Sequence, residues 1–313
     1  MKQLLTVFIV ISILTSAQNL YAQKIKLRIN LKEGAQYEMR SLTDQKISQT
    51  IMGMSNDITQ KIEMGMSVTV KGADKNKDVE VGYVYDEVNY YQKTQLGEIN
   101  YESKTADLSD IKPGAVGFAA LIGESFTLKM TELGKIIESK GLENVGDNAL
   151  ELLKINDPAQ REKLKKEFAD NLSPEKLAAN LSATAPFPEK AIEVGSTWEH
   201  DAKMDNGYPL SIHSVYTVKS ISSKTVELSV SSKINSIETD APTKINGMEM
   251  MYKLSGTQNG IQIIDRDSGW TNETKLTQNI SGTVTLLPSE TIPDGMTWPL
   301  EILSDIVLTS KKR

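Results

Sequence analysis

The chain has 313 residues, a formal net charge of −6 and no cysteine. This mild acidity argues against a nucleic-acid partner, which would favour a basic surface. The absence of cysteine excludes disulfides, thiolate nucleophiles and cysteine-ligated zinc or iron–sulfur sites. A chain of this length buries enough surface to fold without disulfides.

The first 22 residues have the three parts of a secretory signal peptide. Lys2 precedes an apolar run from Leu4 to Leu14, and the segment ends with Leu20-Tyr21-Ala22. The run is shorter than the roughly 20 residues of a membrane span, and Ala22 is a small residue suited to cleavage. We therefore expect cleavage near Ala22, export to the periplasm or beyond, and a soluble mature chain without a membrane span.

Residues 23–143 form the first predicted antiparallel β block. Apolar residues alternate with polar ones from Ile25 to Leu31, which is the period of a strand with one buried face. Two later runs, Ile47 to Met54 and Ile58 to Val70, are predicted to pair through a turn at Ser55-Asn56-Asp57. Short runs between turn residues predict a meander.

Residues 144–185 form a predicted helical insert. Asp157-Pro158 is a helix start, because Asp caps the first turn and Pro is favoured there. Leu164 and Phe168 then fall on one face, and Leu177 lies on a second helix that begins at Ser173. These apolar stripes are narrow, so we expect the helices to lie over the sheet as a lid.

Residues 186–313 form the second predicted β block, which makes one domain with the first. Its tail, Trp298 to Leu308, is predicted to be a strand. The sequence from Leu31 to Glu38 resembles that from Ile192 to Glu199, with matching Gly and aromatic positions. This repeat suggests that the strand block was duplicated around the helical insert.

The predicted fold class is therefore mainly β, or β-rich α+β. We expect a large curved antiparallel sheet or open half-barrel with a helical insert in the middle of the chain.

Catalytic and metal motifs are absent from the sequence. His200 and His213 are the only histidines, and a pair such as His200 with Asp201 lacks the Gly-x-Ser-x-Gly elbow of a hydrolase. We predict no catalytic residue, no metal site and no cofactor, so the protein is not expected to be an enzyme. A hydrolase with an unrecognised site is the remote alternative.

Methionine occurs in three Met-x-Met units: Met52-Gly53-Met54, Met64-Gly65-Met66 and Met248-Glu249-Met250. On a strand, each unit would place two thioethers on the same face. Three interpretations are open: filling of an apolar face, binding of variable apolar ligands, or coordination of Cu(I).

The order of strand block, helical insert and strand block resembles the periplasmic lipoprotein carrier half-barrel. A closer resemblance, to an uncharacterised family of secreted Gram-negative envelope proteins, rests on three features. They are Gly34 to Tyr37 with Gly195 to Trp198, Gly123 to Leu128 followed by Gly134-Lys135-Ile136, and Ser268-Gly269-Trp270. This resemblance implies an envelope location but no known activity, ligand or site.

The leading hypothesis is a non-catalytic exported envelope protein that binds an apolar or lipid-like ligand beneath the helical lid. The alternative is a structural or protein-interaction module with a solid core. The predicted cavity is lined by four strand residues and covered by three helix residues: Met64, Met66, Tyr83 and Met250, with Leu164, Phe168 and Leu177.

Overall fold

A computed structural model describes residues 24–171, 186–205, 208–237, 242–245, 248–289 and 292–313. The predicted signal peptide and the predicted second helix of the insert lie outside these residues. The strands are β1 Gln36–Ile51, β2 Met54–Ala73, β3 Val79–Thr94, β4 Gly97–Glu102, β5 Ser125–Met130, β6 Ile136–Gly141, β7 Thr197–Asp205, β8 Pro209–Ile221, β9 Thr225–Ser236, β10 Thr243–Ile245, β11 Met248–Asp265, β12 Thr271–Leu286 and β13 Met296–Lys312.

All 13 described strands belong to one antiparallel sheet, in the order β6-β5-β3-β2-β1-β13-β12-β11-β9-β8-β7. Strand β4 pairs with β3, and β10 pairs with β11. The two meanders are joined by pairing of β1 with β13, in register from Tyr37 opposite Lys312 to Gln49 opposite Leu300. The sheet stays open, because its terminal strands β6 and β7 are not paired with each other.

The predicted mainly-β fold class is confirmed, and so is the final strand, which continues to Lys312. The described helices are α1 Val116–Ala119, α2 Val145–Leu152 and α3 Pro158–Asn171. Asp157 caps α3 as predicted, because its side chain accepts a hydrogen bond from the Gln160 backbone at 2.8 Å. Helix α1 was not anticipated. In the described parts of the chain, no helix has the length and apolarity needed to cross a membrane.

The turn between β1 and β2 lies three residues earlier than predicted. Met52 and Gly53 form it with φ angles of 52° and 78°, the left-handed pair that suits a two-residue hairpin. The predicted turn residues, Ser55 to Asp57, instead lie within β2, with Asn56 opposite Gln49. The prediction was wrong because it weighted three polar residues above one glycine.

The sequence repeat is a structural repeat. The backbone N–H of Gly34 donates to Val70 at 2.9 Å, and that of Gly195 donates to Val218 at the same distance. In each block the same valine donates back to the residue after the glycine. Both glycines have positive φ and lead directly into the first strand of their block.

Irregularities of the strands repeat as well. The pairing register shifts between Val70 and Gly72 in β2, and between Val218 and Ser220 in β8. These shifts follow the two equivalent valines at the same spacing. A shared bulge extends the similarity beyond the sequence match, so it supports the predicted duplication, which stays a prediction.

The ends of β5 and β11 match in the same way. A register shift occurs at Met130 in β5 and at Ile264 in β11. Each strand then enters a tight turn in which a glycine with positive φ, Gly134 or Gly269, donates a backbone hydrogen bond to the residue that begins the turn.

The run from Ile25 to Leu31, predicted to be a strand, is instead a segment before β1 that forms an isolated bridge between Ile25 and Ile192. This segment ties the two turns together. The backbone N–H of Ile29 donates to Glu132 at 2.7 Å, and that of Asn30 donates to Ser268 at 2.8 Å. Arg28 holds the same segment to the chain that precedes β7: its guanidinium donates to the Pro188 carbonyl at 3.0 Å and to the Glu189 carbonyl at 2.7 Å.

We predict that Arg28→Ala lowers the free energy of unfolding by about 2 kcal/mol, because several carbonyls lose a charged donor. Urea denaturation of the whole chain measures this loss. Arg40→Ala is the matched control, since its ion pairs lie on an exposed side chain and should contribute under about 1 kcal/mol. Equal losses for the two variants would contradict the proposed role of Arg28.

Three glycines allow β11 and β12 to approach closely. A Cβ atom on Gly256, Gly260 or Gly282 would collide with backbone atoms of the opposite strand. Gly65 in β2 differs, because its Cβ would meet Glu87 at an ordinary 3.4 Å.

We therefore expect Gly260→Ala to destabilise the protein by about 1–3 kcal/mol, the usual cost of overpacking. Gly65→Ala, also in a strand, should change stability little. Thermal unfolding of both variants checks this contrast, and a neutral Gly260→Ala would show that β11 and β12 can separate without cost.

Candidate functional site

The candidate site is one face of the sheet, here called the inner face. Its residues follow from the pairing register: Ile47 lies opposite Ile302, and Ile302 lies opposite Ile280. Residues adjacent in sequence, such as Lys46 and Glu301, point to the other, outer face. Because the alternation is kept across these pairs, their apolar side chains share one side of the sheet.

The inner face is also free of formal charge. Between the residues paired in line with Tyr252 and those paired in line with Tyr216, no described Asp, Glu, Lys or Arg lies on it. This holds for strands β1, β2, β3, β7, β8, β9, β11, β12 and β13. The outer face of the same strands carries charged residues such as Asp44, Lys203 and Asp305.

A line of uncharged polar residues crosses this apolar face at right angles to the strands. We call it the polar row. Each member pairs in register with the next, one residue on each of nine strands: His200, Ser214, Ser232, Gln258, Gln278, Ser304, Gln45, Gln60 and Gln92.

The middle of the polar row is buried and its members pair with one another. The Ser214 and Ser232 hydroxyls lie 2.8 Å apart, and the Gln45 amide donates to the Ser304 hydroxyl at 3.0 Å. The Gln278 amide donates to the Gln258 side-chain carbonyl at 3.3 Å. These pairs satisfy polar groups that would otherwise be costly to bury.

His200 is half-buried at one end of the polar row. Burial lowers the pKa of its imidazole, although the nearby Asp201 opposes the shift. The ring is therefore neutral at pH 7, and the row carries no charge there.

The upper half of the inner face, from the polar row towards Tyr37, is packed with side chains. Met66 and Tyr83 are 2% and 5% exposed, and Tyr83 stacks on Phe126 with ring centroids 4.7 Å apart. Helices α1 and α2 and the segment before β1 cover this half through residues such as Val145 and Leu27.

The lower half, from the polar row towards Ile51, differs in what covers it. Its apolar cluster comes only from strands and their connections in the described chain; no described helix contributes. The buried members are Leu210, Ile212, Ile234, Tyr252, Leu254, Ile280, Val284, Leu286, Trp298, Leu300 and Ile302. Towards β1 and β2 the wall is half-buried, with Ile47 and Ile58 side by side.

The predicted site residues fall in several places. Met66, Tyr83 and the adjoining Met64 share the upper cluster, whereas Met250 belongs to the lower one. Leu164 is half-buried in α3, which also contains Phe168; the side chain of Phe168 and all of Leu177 lie outside the described residues. The structure thus brings three of the predicted lining residues together, and it separates them from Met250.

The Met-x-Met units also have different positions. Met52 lies in the hairpin turn and Met54 follows it; they are 76% and 67% exposed, so neither belongs to a buried cluster. Met64 and Met66 do share that face. Among described residues, no cluster of His, Asp and Glu is suited to a metal ion.

His200 and Asp201 do not form a pair in the structure. Adjacent residues on a strand point to opposite faces, so His200 lies on the inner face and Asp201 on the outer one. Asp201 instead contacts the Nδ1 atom of His213 at 2.7 Å, and Glu199 lies 3.8 Å from Nε2. Both ring nitrogens of His213 face carboxylates, which leaves neither to activate a serine.

A shallow pocket of about 220 Å³ lies on the outer face beside Gly65. Its charged lining residues form ion pairs: Arg40 lies 3.6 Å from Glu87, and Glu87 also contacts Lys104 at 2.6 Å. This charged lining does not suit an apolar ligand.

The polar row was missed by sequence reasoning. Its signal was present in part, because Gln, Ser or His stands at an inner-face position of each of these strands, as at His200, Ser232 and Gln278. Only the pairing register shows that these replacements line up across the sheet.

These features define a class of protein: an open antiparallel sheet with a charge-free inner face, divided by a polar row. The chain belongs to the Family of unknown function DUF6263, whose family model matches residues 74–271, more than half of the chain. Membership of an uncharacterised family is thereby confirmed. No curated protein matches the chain.

Several solved structures are similar in part. Lipovitellin is 12% identical with a TM-score of 0.44, over 90% of this chain and 25% of its own; this chain therefore spans about a quarter of it. An outer membrane channel from Pseudomonas putida F1 is 9% identical with a TM-score of 0.27, over 90% and 97% of the two chains.

A domain from Vibrio parahaemolyticus, described as an outer membrane lipoprotein-sorting protein domain, is 8% identical with a TM-score of 0.13, over 88% of this chain and 84% of its own. At these TM-scores the similarities carry no functional argument.

We predict that Ser214→Ala and Ser232→Ala each cost about 1–2 kcal/mol, because each leaves a buried hydroxyl without its partner. The double variant should cost clearly less than the sum, since neither hydroxyl then remains. A double-mutant cycle in urea measures this coupling. Strictly additive losses would show that the pair is not coupled.

Proposed function

We propose that this protein is a non-catalytic, exported envelope protein that holds an apolar or lipid-like ligand on the lower half of the inner face. The observation that supports this proposal best is the charge-free inner face with its half-buried aliphatic wall at Ile47 and Ile58. An apolar ligand on such a wall gains roughly 25 cal/mol for each Å² removed from water.

The lower half suits a ligand better than the region around Met66 and Tyr83, which the sequence predicts to line the cavity. Around Met66 and Tyr83 the side chains already fill the space beneath the helices. In the lower half, the apolar cluster has no described helix over it, and Met250 lies there. The proposed position therefore keeps one of the predicted lining residues and moves the ligand away from α1 and α2.

The proposal of export rests on the signal-peptide pattern that ends at Ala22. The proposal that the protein is not an enzyme rests on the two histidines: His200 lies among uncharged polar residues, and His213 faces two carboxylates.

A structural or protein-interaction module is the second candidate. The dense packing of Met66, Tyr83 and Phe126 favours it, because a fully packed core has no space that a ligand must fill. The two candidates differ in one observable, which is whether the native protein carries a bound molecule.

Native mass spectrometry of the protein purified from its own cell envelope distinguishes them. The ligand-binding proposal expects a mass above that of the processed chain, lost after solvent extraction, and uptake of a fluorescent lipid probe by the extracted protein. A uniformly ligand-free mass together with no probe uptake would favour the structural module.

We predict that Ile58→Glu weakens binding of the fluorescent lipid probe by at least about tenfold, because it places a charge on the apolar wall. Thr59→Glu is the matched control, since Thr59 is the next residue and points to the outer face beside Lys46. Circular dichroism verifies that both variants fold. Equal probe affinity in the two variants would exclude this wall as the site.

A further inference from the structure

The polar row indicates which kind of polar group a ligand on the inner face would carry. Its members contribute amides, hydroxyls and one imidazole, and they lie between two apolar halves of the same face. A ligand that lies only on aliphatic residues would not need such a row. The row therefore forms a continuous line of hydrogen-bonding groups across an otherwise largely apolar face.

One end of the row has hydrogen-bonding capacity to spare. Gln60 and Gln92 are half-buried, and neither side chain hydrogen-bonds to another described residue. Gln45 uses its amide nitrogen on Ser304, which leaves its side-chain carbonyl as an acceptor. These three glutamines sit on neighbouring strands β1, β2 and β3, so they span about 10 Å at the usual strand spacing.

Aliphatic residues frame this free end on both sides. Ile47 and Ile58 lie below Gln45 and Gln60, and Ile62 lies above Gln60 on the same face. All three isoleucines are half-buried. A molecule here would meet the polar groups of the row beside the aliphatic side chains of Ile47 and Ile58, with Gln49 and Asn56 beyond them on the same face.

The absence of charge limits what the row can bind. An ionised carboxylate or phosphate that leaves water needs a counter-charge or several strong donors. The inner face supplies no Lys or Arg at this level, and Glu63 and Lys61 lie on the outer face. A neutral hydroxyl, ester or amide needs only the neutral donors and acceptors that the glutamines provide.

We propose that Gln45, Gln60 and Gln92 select ligands whose polar group is uncharged: long-chain molecules that carry a hydroxyl, ester or amide, and not an ionised head group. This inference rests on the proposed function, and it names the chemical class of the ligand. The apolar chain lies along Ile47 and Ile58, and the neutral polar group pairs with the free glutamine amides.

The test compares three compounds of equal chain length on the full protein after solvent extraction: a long-chain alcohol, the matching ionised carboxylate and the matching alkane. Each competes with the fluorescent lipid probe. The expected order is the alcohol first, the alkane about fivefold weaker, and the carboxylate weakest, because one net hydrogen bond contributes about 1 kcal/mol. A carboxylate that binds as tightly as the alcohol would overturn the proposal.

The double variant Gln60→Leu/Gln92→Leu assigns the preference to the row. It should still bind the alkane but lose the preference for the alcohol. Thr59→Leu, which changes the outer face of the same strand, should keep that preference. An unchanged preference in a folded double variant would overturn the role of the glutamines.

The same competition separates this inference from the proposed function. If no member of the series displaces the probe and the probe itself does not bind, the proposed function fails and the inference with it. If all three compounds bind equally well, the apolar site stands and the selective role of the row is refuted.

Discussion

The pairing register across β1 and β13 is the constraint on which the site depends. Strand side chains alternate between faces, so a slip of one residue would exchange the two faces completely. Ile47 and Ile302 would leave the inner face, and Lys46 and Glu301 would enter it. The site is therefore a property of register, since no local motif creates an uncharged surface that spans strands from both ends of the chain.

The repeated architecture explains how such a large sheet keeps its register. Each block begins with the same glycine-led entry at Gly34 or Gly195, and carries a bulge at the equivalent position of its second strand. Bulges and tight turns fix which residues pair. The segment that contains Ile29 and Asn30 then links the equivalent turns of the two blocks, so the halves are held at the upper end as well as along β1 and β13.

Much of the fold could be predicted from local patterns, because alternation and helix caps act over few residues. Asp157 and the final strand are examples. The site could not be predicted in this way. Met250 and Met66 both occur in Met-x-Met units on strands, yet they belong to different clusters. Their separation depends on which strands are neighbours, and an order such as β1 beside β13 has no local signature.

The joining of the first strand to the last also affects how the protein is made. The partners of β1 include residues up to Lys312, and contacts so distant in sequence form slowly because a very long loop must close first. Gln45 and Ser304, which pair across these two strands, lie 259 residues apart in the sequence. Until β13 pairs with it, β1 has one unpaired edge, and its aliphatic residues need protection from aggregation during that interval.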